Sequence, residues 1–230
     1  MSSAYRCIAQ ETWDAIAESF DVTRQRPWRY CLDFIDSLQG KDMVADVGCG
    51  NGRHLLPCAD HCSSVFGVDI SMRFLRIVQK KLQSRSLKNV SLIHADAVQL
   101  PFATDSLDGV LFIASLHNIQ GKDHRRSALK EILRVLKPQG TALVSVWSRW
   151  QDRFYTYFLT QFFVRTRTFG DIDIHWRQHH LNVPRFYHLY SSREFRHELQ
   201  QAGFEIQRME RVKIHSKRFA DNYFAVVRKR

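Results

Sequence analysis

The sequence lacks the features of a membrane, secreted or repeat protein. It contains no run of the roughly 20 apolar residues that a membrane-spanning helix needs, and its first residues do not resemble a secretory leader. It also contains no internal repeat and no glycine- or serine-rich linker. We therefore expect its 230 residues to form one domain with a sizeable core and an insertion, without contact with a membrane.

Cysteine is scarce, and the five cysteines are scattered along the chain. An odd number of cysteines favours a reducing compartment, and we expect the cytoplasm. Zinc is an alternative for one local group of histidines and cysteines, but its spacing matches no common zinc site, so we expect no bound metal. That group consists of His54, Cys58, His61 and Cys62.

Acidic residues are in short supply, since 23 aspartates and glutamates face 34 lysines and arginines, for a net charge of +11. Most of the excess lies late in the chain, where residues 148–230 carry sixteen basic and eight acidic side chains. A basic region of this kind favours a polyanionic partner, because phosphate neutralisation drives association. A generic basic surface that aids solubility is the alternative.

A glycine-rich turn follows an apolar run near the start of the chain. Residues 43–52 read Met-Val-Ala-Asp-Val-Gly-Cys-Gly-Asn-Gly, so Asp46 precedes Gly48, Gly50 and Gly52. Glycines permit positive φ and remove Cβ atoms where a ligand presses on the backbone. The spacing is typical of a strand and turn that bind a nucleoside-like ligand, and it differs from the G-x-G-x-x-G of dinucleotide enzymes.

Two further acids end the next two predicted strands. Asp69 follows the apolar run 65–68, a position that suits a bidentate hold on ribose hydroxyls. Asp96 follows the run 90–94, where a carboxylate can accept a hydrogen bond from an exocyclic amine such as that of adenine. Because the carboxyl ends of parallel strands meet at one edge of a sheet, we expect all three acids to lie there.

At these positions the chain resembles the S-adenosylmethionine (SAM)-dependent methyltransferases, and a segment predicted as a helix, 134–140, adds to the likeness. The resemblance implies an α/β, Rossmann-like fold with a seven-stranded, mostly parallel sheet and helices on both faces. It also implies SAM as cofactor and S-adenosylhomocysteine as product. The residues that it implies for cofactor binding are Asp46, Gly48, Gly50, Gly52, Asp69, Ile70, Asp96 and Ala97.

Residues 148–190 interrupt the alternation of strands and helices. They hold twelve of the 28 aromatic residues, interleaved with six arginines. We interpret 154–164 mostly as a packed helix face, and 165–190 as a lid or acceptor surface, because aromatic and arginine side chains together bind bases and phosphates. The predicted organisation is an N-terminal helical cap over 1–40 and a methyltransferase domain over 41–230 that contains this insertion.

The N-terminal segment narrows the likeness to the wobble-uridine tRNA methyltransferases, which esterify 5-carboxymethyluridine at the first anticodon position. The likeness begins at Trp13 to Arg24 and Pro27-Trp28, includes 47–53, and resumes at Arg185 to Tyr190. Shorter matches are Leu116-His117, Val146-Trp147, Ala202-Gly203-Phe204 and Asp221-Asn222-Tyr223, and the chain departs from the family at Trp13, Ser19 and Asn118.

A carboxylate acceptor is anionic at neutral pH, so it needs alignment with the methyl donor rather than a general base. We expect Arg24 to hold this carboxylate by a fork of donors, and His117 to hydrogen-bond the acceptor or the uracil ring. The candidate catalytic residues are therefore Arg24 and His117. The candidate acceptor-binding residues are Thr23, Arg185, Tyr187, His188 and Asn222.

Two other functions stay open: a small-molecule or lipid-precursor methyltransferase, and a non-catalytic, methyltransferase-like RNA-binding scaffold. The basic insertion and Thr23-Arg24 argue against the first, and the intact acids argue against the second. No Asn/Asp-Pro-Pro-Tyr/Phe motif follows the fourth predicted strand, 107–113, which argues against exocyclic-amine methylation. The Pro57-Cys58 pair lies in the first helix region, away from the place of a cytosine-attacking nucleophile.

The run Val90–His94 is predicted to be an edge strand of the sheet. Its apolar edge can accept a strand from another chain. The resemblance implies two partners, the anticodon region of tRNA and a small zinc-binding methyltransferase activator protein that binds at this edge to form a heterodimer. A monomer whose edge is covered by its own terminus is the alternative.

Overall fold

A computed structural model of the chain describes residues 3–161 and 169–230, so the stretch 162–168 of the predicted insertion lies outside the described residues. The first half contains α1 (Ser3–Thr23), α2 (Arg29–Asp36), β1 (Met43–Val47), α3 (Leu55–Ala59), β2 (Ser64–Asp69), α4 (Met72–Ser84), β3 (Val90–His94) and β4 (Leu107–Ile113). A 3₁₀ turn at Leu116–Asn118 leads to α5 (Lys122–Val135), β5 (Leu136–Trp147), α6 (Tyr155–Gln161), β6 (Asp171–Trp176), β7 (Val183–His188), α7 (Ser192–Ala202), β8 (Glu205–Val212) and β9 (Asn222–Arg228).

Seven strands form one sheet in the order β3-β2-β1-β4-β5-β9-β8. The strands from β3 to β5 run parallel, while β9 pairs antiparallel with both β5 and β8. Apolar side chains alternate between the two faces, so that Ala45 packs with α5 and α7, and Val44 packs with α2, α3 and α4. The predicted Rossmann-like α/β fold, with its mostly parallel seven-stranded sheet covered on both faces, is confirmed.

The helix predicted over 134–140 is wrong beyond Val135, because Leu136 already begins β5. Proline cannot continue a helix and disfavours helical geometry in the residue before it, so Pro138 makes Lys137 extended. Arg134 stays in the last helical turn. There it donates to Glu131 and to backbone carbonyls of the loop between β3 and β4.

The insertion contributes a second, two-stranded sheet in which β6 pairs antiparallel with β7. This hairpin reaches α1, where the indole Nε1 of Trp176 donates to Ser19 Oγ at 2.8 Å. Helices α1 and α2 fall within the predicted cap 1–40, whose standing as a separate domain stays a prediction. None of the helices in the described ranges has the length and apolar character needed to cross a bilayer.

Candidate functional site

A cavity of about 920 Å³ opens at the carboxyl ends of the parallel strands. The glycine turn after β1 and the residues that follow β2, β3 and β4 form its floor, while α1 and the β6–β7 hairpin form the opposite wall. This volume lies within the roughly 300–1,000 Å³ range of ligand pockets in proteins. The topology therefore places a ligand site where open α/β sheets bind their ligands.

The glycine turn forms part of this floor, and it leaves no room for a side chain at Gly48. Gly48 has φ +70°, and a Cβ there would fall 2.2 Å from Ser115 Oγ. Gly50 has φ +52° and faces open space, so its bare backbone borders the cavity. Gly52 does not line the cavity, since it turns toward Val78 instead. Gly48 and Gly50 thus shape the floor, and Gly52 shapes the turn that follows.

Asp69, the last residue of β2, is held by the backbone on both carboxylate oxygens. Oδ2 accepts from Gly50 N and Oδ1 accepts from Ser71 N, each at 2.8 Å. Burial raises the pKa of Asp69 to about 6, although these two N–H groups act in the opposite direction. Each oxygen keeps a lone pair, so the fixed carboxylate can accept from two vicinal hydroxyls of a ribose.

Asp46 lies beneath the cavity lining rather than in it, and its side chain is buried. Among the described residues, nothing hydrogen-bonds its Oδ2. Burial, followed by the nearby charge of Asp69, raises the pKa of Asp46 to about 7, while Arg53 opposes the shift. A buried carboxylate oxygen without a partner is costly, and a ligand ammonium group, direct or through water, would satisfy it.

Asp96 follows β3 and lines the cavity together with Ile70 and Ala97. Its Oδ1 accepts from Val98 N at 3.1 Å, which fixes the carboxylate beside the floor. Tyr5 of α1 lines the same end, where burial and then the charge of Asp96 raise the pKa of its phenol to about 12. No sequence pattern indicated Tyr5 as a site residue, because its position depends on how α1 packs.

His117 lies in the 3₁₀ turn after β4 and lines the cavity while almost fully buried. Its Nδ1 accepts from Trp147 N at 3.0 Å, which leaves the ring proton on Nε2. Burial, followed by the charges of Arg185 and His188, lowers the pKa of His117 to about 3. The imidazole is therefore neutral at physiological pH and acts as a hydrogen-bond donor through Nε2.

Arg185 on β7 is a buried cation, only 6 % exposed, that lines the cavity. Its guanidinium carbon lies 4.9 Å from the ring centre of Trp176 and 5.7 Å from that of Trp13. It donates to the hydroxyl of Tyr187 at 2.6 Å, but its Nε has no hydrogen-bond partner within the described residues. No acidic side chain of those residues forms an ion pair with it.

Other cations surround Arg185 instead of acids. Burial lowers the pKa of Arg185, and the charges of Arg24 and Arg153 lower it further. Arg24 follows α1 and is exposed at the cavity, with its guanidinium carbon 5.6 Å from the centre of the Trp176 ring. Three arginines thus line the same cavity, an arrangement that favours an anionic ligand.

Only some of the remaining predicted acceptor residues line the cavity. Tyr187 and Asn222 line the cavity, and the buried Oδ1 of Asn222 lacks a hydrogen-bond partner among the described residues. Thr23 does not line the cavity, because its hydroxyl donates to backbone carbonyls of α1. His188 is also outside the lining. It contacts Asp171 and Glu194, which raise its pKa against the opposing effect of burial.

Several residues that line the cavity were not predicted from the sequence as site residues. The rings of Trp13 and Trp176 both lie within 6 Å of the guanidinium of Arg185, and Arg153 also lines the cavity. Trp176 and Arg153 belong to the aromatic and basic insertion, which was the available signal. To predict that these two residues line the cavity, one would need the register of the hairpin and its packing against α1.

The histidine and cysteine group near α3 is engaged in local contacts. His54 Nε2 accepts from Trp28 N at 3.3 Å, and Cys58 contacts the carbonyl of His54. His61 pairs with Asp36 at 3.2 Å. Within the described ranges, no three His, Cys, Asp or Glu side chains are grouped so as to hold a metal ion.

Comparisons with known proteins agree with this geometry. Residues 45–144 match the model of the methyltransferase domain family. A solved structure of a 1,6-didemethyltoxoflavin-N1-methyltransferase from Burkholderia thailandensis, with S-adenosylhomocysteine bound, superposes with a TM-score of 0.72 at 19% identity. The alignment covers 100% of this chain and 90% of that one. Residues 45–144 of the chain thus carry a methyltransferase domain.

Two further matches extend the comparison of this methyltransferase domain. A tRNA (carboxymethyluridine(34)-5-O)-methyltransferase from Arabidopsis thaliana is 35% identical over 140 residues, which cover 61% of this chain and 32% of that protein. The chain thus spans about a third of the length of that relative. A methyltransferase from Haloferax volcanii, solved in complex with the Trm112 methyltransferase activator, aligns with a TM-score of 0.66 at 17% identity and 96% coverage of each chain.

SAM is the cofactor of this methyltransferase domain, and the residues present fit it. The two oxygens of Asp69 suit its ribose, and the unpartnered Oδ2 of Asp46 suits its ammonium group. Asp96 lines the cavity, and a carboxylate is a suitable acceptor for the adenine amine. The open space at Gly50 leaves room for the ligand against the backbone.

Proposed function

We propose that this chain is a tRNA methyltransferase that transfers a methyl group from SAM to the carboxylate of a 5-carboxymethyl-type wobble uridine, forming the methyl ester. The observation that carries the proposal is the buried guanidinium of Arg185, which lines the cavity without an acidic partner among the described residues. The identity with the Arabidopsis relative supports the same substrate class.

Leaving a cation desolvated and unpaired costs several kcal/mol by order of magnitude, so such a group is retained where a ligand supplies the missing anion. The guanidinium of Arg185 lines the cavity, where the carboxylate of the acceptor can pair with it. Arg24 lies across the same space and can supply a second fork of donors. A neutral acceptor would leave these charges uncompensated, which disfavours a small apolar substrate.

Catalysis then requires alignment more than acid or base chemistry. SAM supplies a methyl group already activated on a sulfonium, and the reaction is an in-line displacement. Arg185 and Arg24 orient one carboxylate oxygen, while Nε2 of the neutral His117 donates to the acceptor. Asn222 also lines the cavity, and its amide can hydrogen-bond a uracil, which would fix the base. The rings of Trp13 and Trp176 exclude water from the reacting groups.

The test is a methyl-transfer assay with labelled SAM and tRNA that contains 5-carboxymethyluridine, read by nucleoside mass spectrometry. The expected product is the methyl ester, which mild alkali hydrolyses back to the acid. Label that survives alkali would place the methyl group on a base or ribose and contradict the proposal, as would absence of label with the activator present. Bulk tRNA from a deletion strain should accumulate the unesterified acid.

We infer that a Trm112-type activator binds at β3, which forms an edge of the main sheet. The complex of the Haloferax volcanii neighbour supports this inference, since a protein of the same fold was solved with that activator. A cytoplasmic location is part of the proposal, because a tRNA substrate is found there. It is supported by the free thiols of Cys7, Cys31, Cys49, Cys58 and Cys62.

A further inference from the structure

The loop between β8 and β9 is held in place by two carboxylates. Asp221 accepts three backbone N–H groups at 2.6 to 3.0 Å, and Asp152 accepts the next three at 2.8 to 2.9 Å. The loop therefore has a fixed conformation although it contributes little to the core. The six donors are the backbone amides of Ile214, His215, Ser216, Lys217, Arg218 and Phe219.

Because these bonds use only backbone N–H groups, they leave the side chains of Lys217, Arg218 and Phe219 available for other contacts. Lys217 and Arg218 are exposed, and Phe219 is 46 % exposed with its ring 5.4 Å from that of Tyr155. The loop thus exposes two cations next to an aromatic ring. Phosphate groups and base rings are the partners that this combination fits.

The position of the loop favours a ligand larger than a nucleoside. Lys217 lines the mouth of the cavity together with Arg153, whereas Arg218 and Phe219 lie beyond the lining. The ion pairs formed by the described residues include none of these three cations. A ligand that reaches both the cavity and Phe219 must extend along the surface, as a strand of RNA does.

We propose that residues 213–219 form a docking loop for the RNA segment next to the methylated nucleotide. Lys217 and Arg218 contact its phosphates, and Phe219 stacks on a neighbouring base. Because Asp152 and Asp221 already fix the backbone of this loop, less conformational ordering of the loop is required when RNA binds. The choice of anticodon RNA as the ligand rests on the proposed function.

The test measures binding of an anticodon stem-loop RNA with unmodified uridine at the wobble position, at several salt concentrations and with S-adenosylhomocysteine present. Lys217→Ala/Arg218→Ala should weaken binding about tenfold and reduce the slope of log affinity against log salt by about 1.4, at about 0.7 for each lost phosphate contact. Phe219→Ala should weaken binding about tenfold with little change of slope, and Phe219→Trp should restore it.

The matched control is Lys41→Ala/Arg85→Ala, which removes two exposed cations near the amino ends of the strands. An unchanged S-adenosylhomocysteine affinity shows that each variant is folded. Wild-type affinity and slope in Lys217→Ala/Arg218→Ala would overturn the docking loop and leave ester formation by the wild type unaffected. Loop-dependent RNA binding without ester formation would instead contradict the proposed function alone.

Discussion

At the scale of single residues, we expect Asp46 and Asp69 to make cofactor affinity depend on pH. Their pKa values are raised to about 7 and about 6, with burial as the largest cause, so both protonate in weak acid. A cationic cofactor binds the ionised forms. SAM affinity should therefore rise with pH, by up to about tenfold for each unit below a pKa, and level off above the higher value.

Titration calorimetry with SAM across this pH range checks the prediction. Asp69→Asn should bind SAM much more weakly, and its affinity should no longer change with pH near the lower pKa of about 6. In Asp46→Asn, the change of affinity near the upper pKa of about 7 should be lost instead. An affinity of the wild type that is flat between about pH 5 and pH 8 would show that neither carboxylate meets the cofactor as proposed.

Replacement of Arg185 separates its role in acceptor binding from its role in the fold. Arg185→Met should slow ester formation by about two orders of magnitude, because the acceptor carboxylate loses its buried guanidinium. Unfolding temperature should stay the same or rise, since the change removes a desolvated charge. SAM affinity should change little. Arg185→Lys should also be slow, because an ammonium cannot form the bidentate fork.

These effects are measured by methyl-transfer rates, calorimetry with SAM and thermal unfolding of Arg185→Met and Arg185→Lys. A large loss of SAM affinity in Arg185→Met would place Arg185 at the cofactor rather than at the acceptor. Arg126→Met, on α5 and outside the cavity lining, is the control for loss of an arginine.

The sequence predicted these residues unequally, for physical reasons. Asp69 and Asp96 could be placed because strand-end acids in a parallel sheet share an edge. Thr23 and His188 could not, since the hydroxyl of Thr23 faces its own helix and His188 faces Asp171 and Glu194. Spacing along one chain shows which residues are near each other locally, but not which side of an insertion faces the cavity.

At the scale of elements, the contact between α1 and the β6–β7 hairpin closes the acceptor side of the cavity. Ser19 Oγ accepts from the buried Trp176 Nε1 and pairs with His179 Nδ1, both at 2.8 Å. Ser19→Ala would leave the indole N–H unpaired, which costs about 1–3 kcal/mol. The variant should therefore show faster amide exchange in β6 and β7 and a raised KM for tRNA.

Hydrogen exchange and steady-state kinetics measure these two effects. Ser84→Ala, which removes a hydroxyl bonded only within α4 and its end, should leave both unchanged. Native exchange rates in the hairpin of Ser19→Ala would show that other contacts, such as Phe20 against Trp176, suffice to hold it.

The hairpin also shows where sequence patterns stop being informative about elements. Aromatic and basic residues marked the insertion as an acceptor surface, but they did not reveal that 171–176 and 183–188 pair as strands. Short strands of this kind are decided by the partner that they pack on. The boundary at Val135 was misplaced for a different reason, because Pro138 disfavours helical geometry in the residue before it and the strand already begins at Leu136.

At the scale of the whole molecule, the order of strands was predictable from the motifs, and it leaves β3 at an edge. Asn89 and Ala95, which flank β3, both bond to β2. Since hydrogen-bonding groups alternate along a strand, Val90, Leu92 and His94 direct their backbone groups away from β2. These groups are the ones that an added strand of an activator would pair with.

Leu92→Pro removes one such outward N–H while keeping the ladder to β2, as edge positions tolerate proline. Co-purification with a Trm112-type activator should be lost in Leu92→Pro and kept in Leu92→Ala, which loses the same side-chain packing but retains the N–H. Calorimetry with SAM reports whether each variant is folded. Equal activator binding by the two variants would mean that the activator contacts another surface, and loss in both would assign the interface to side-chain packing rather than strand addition.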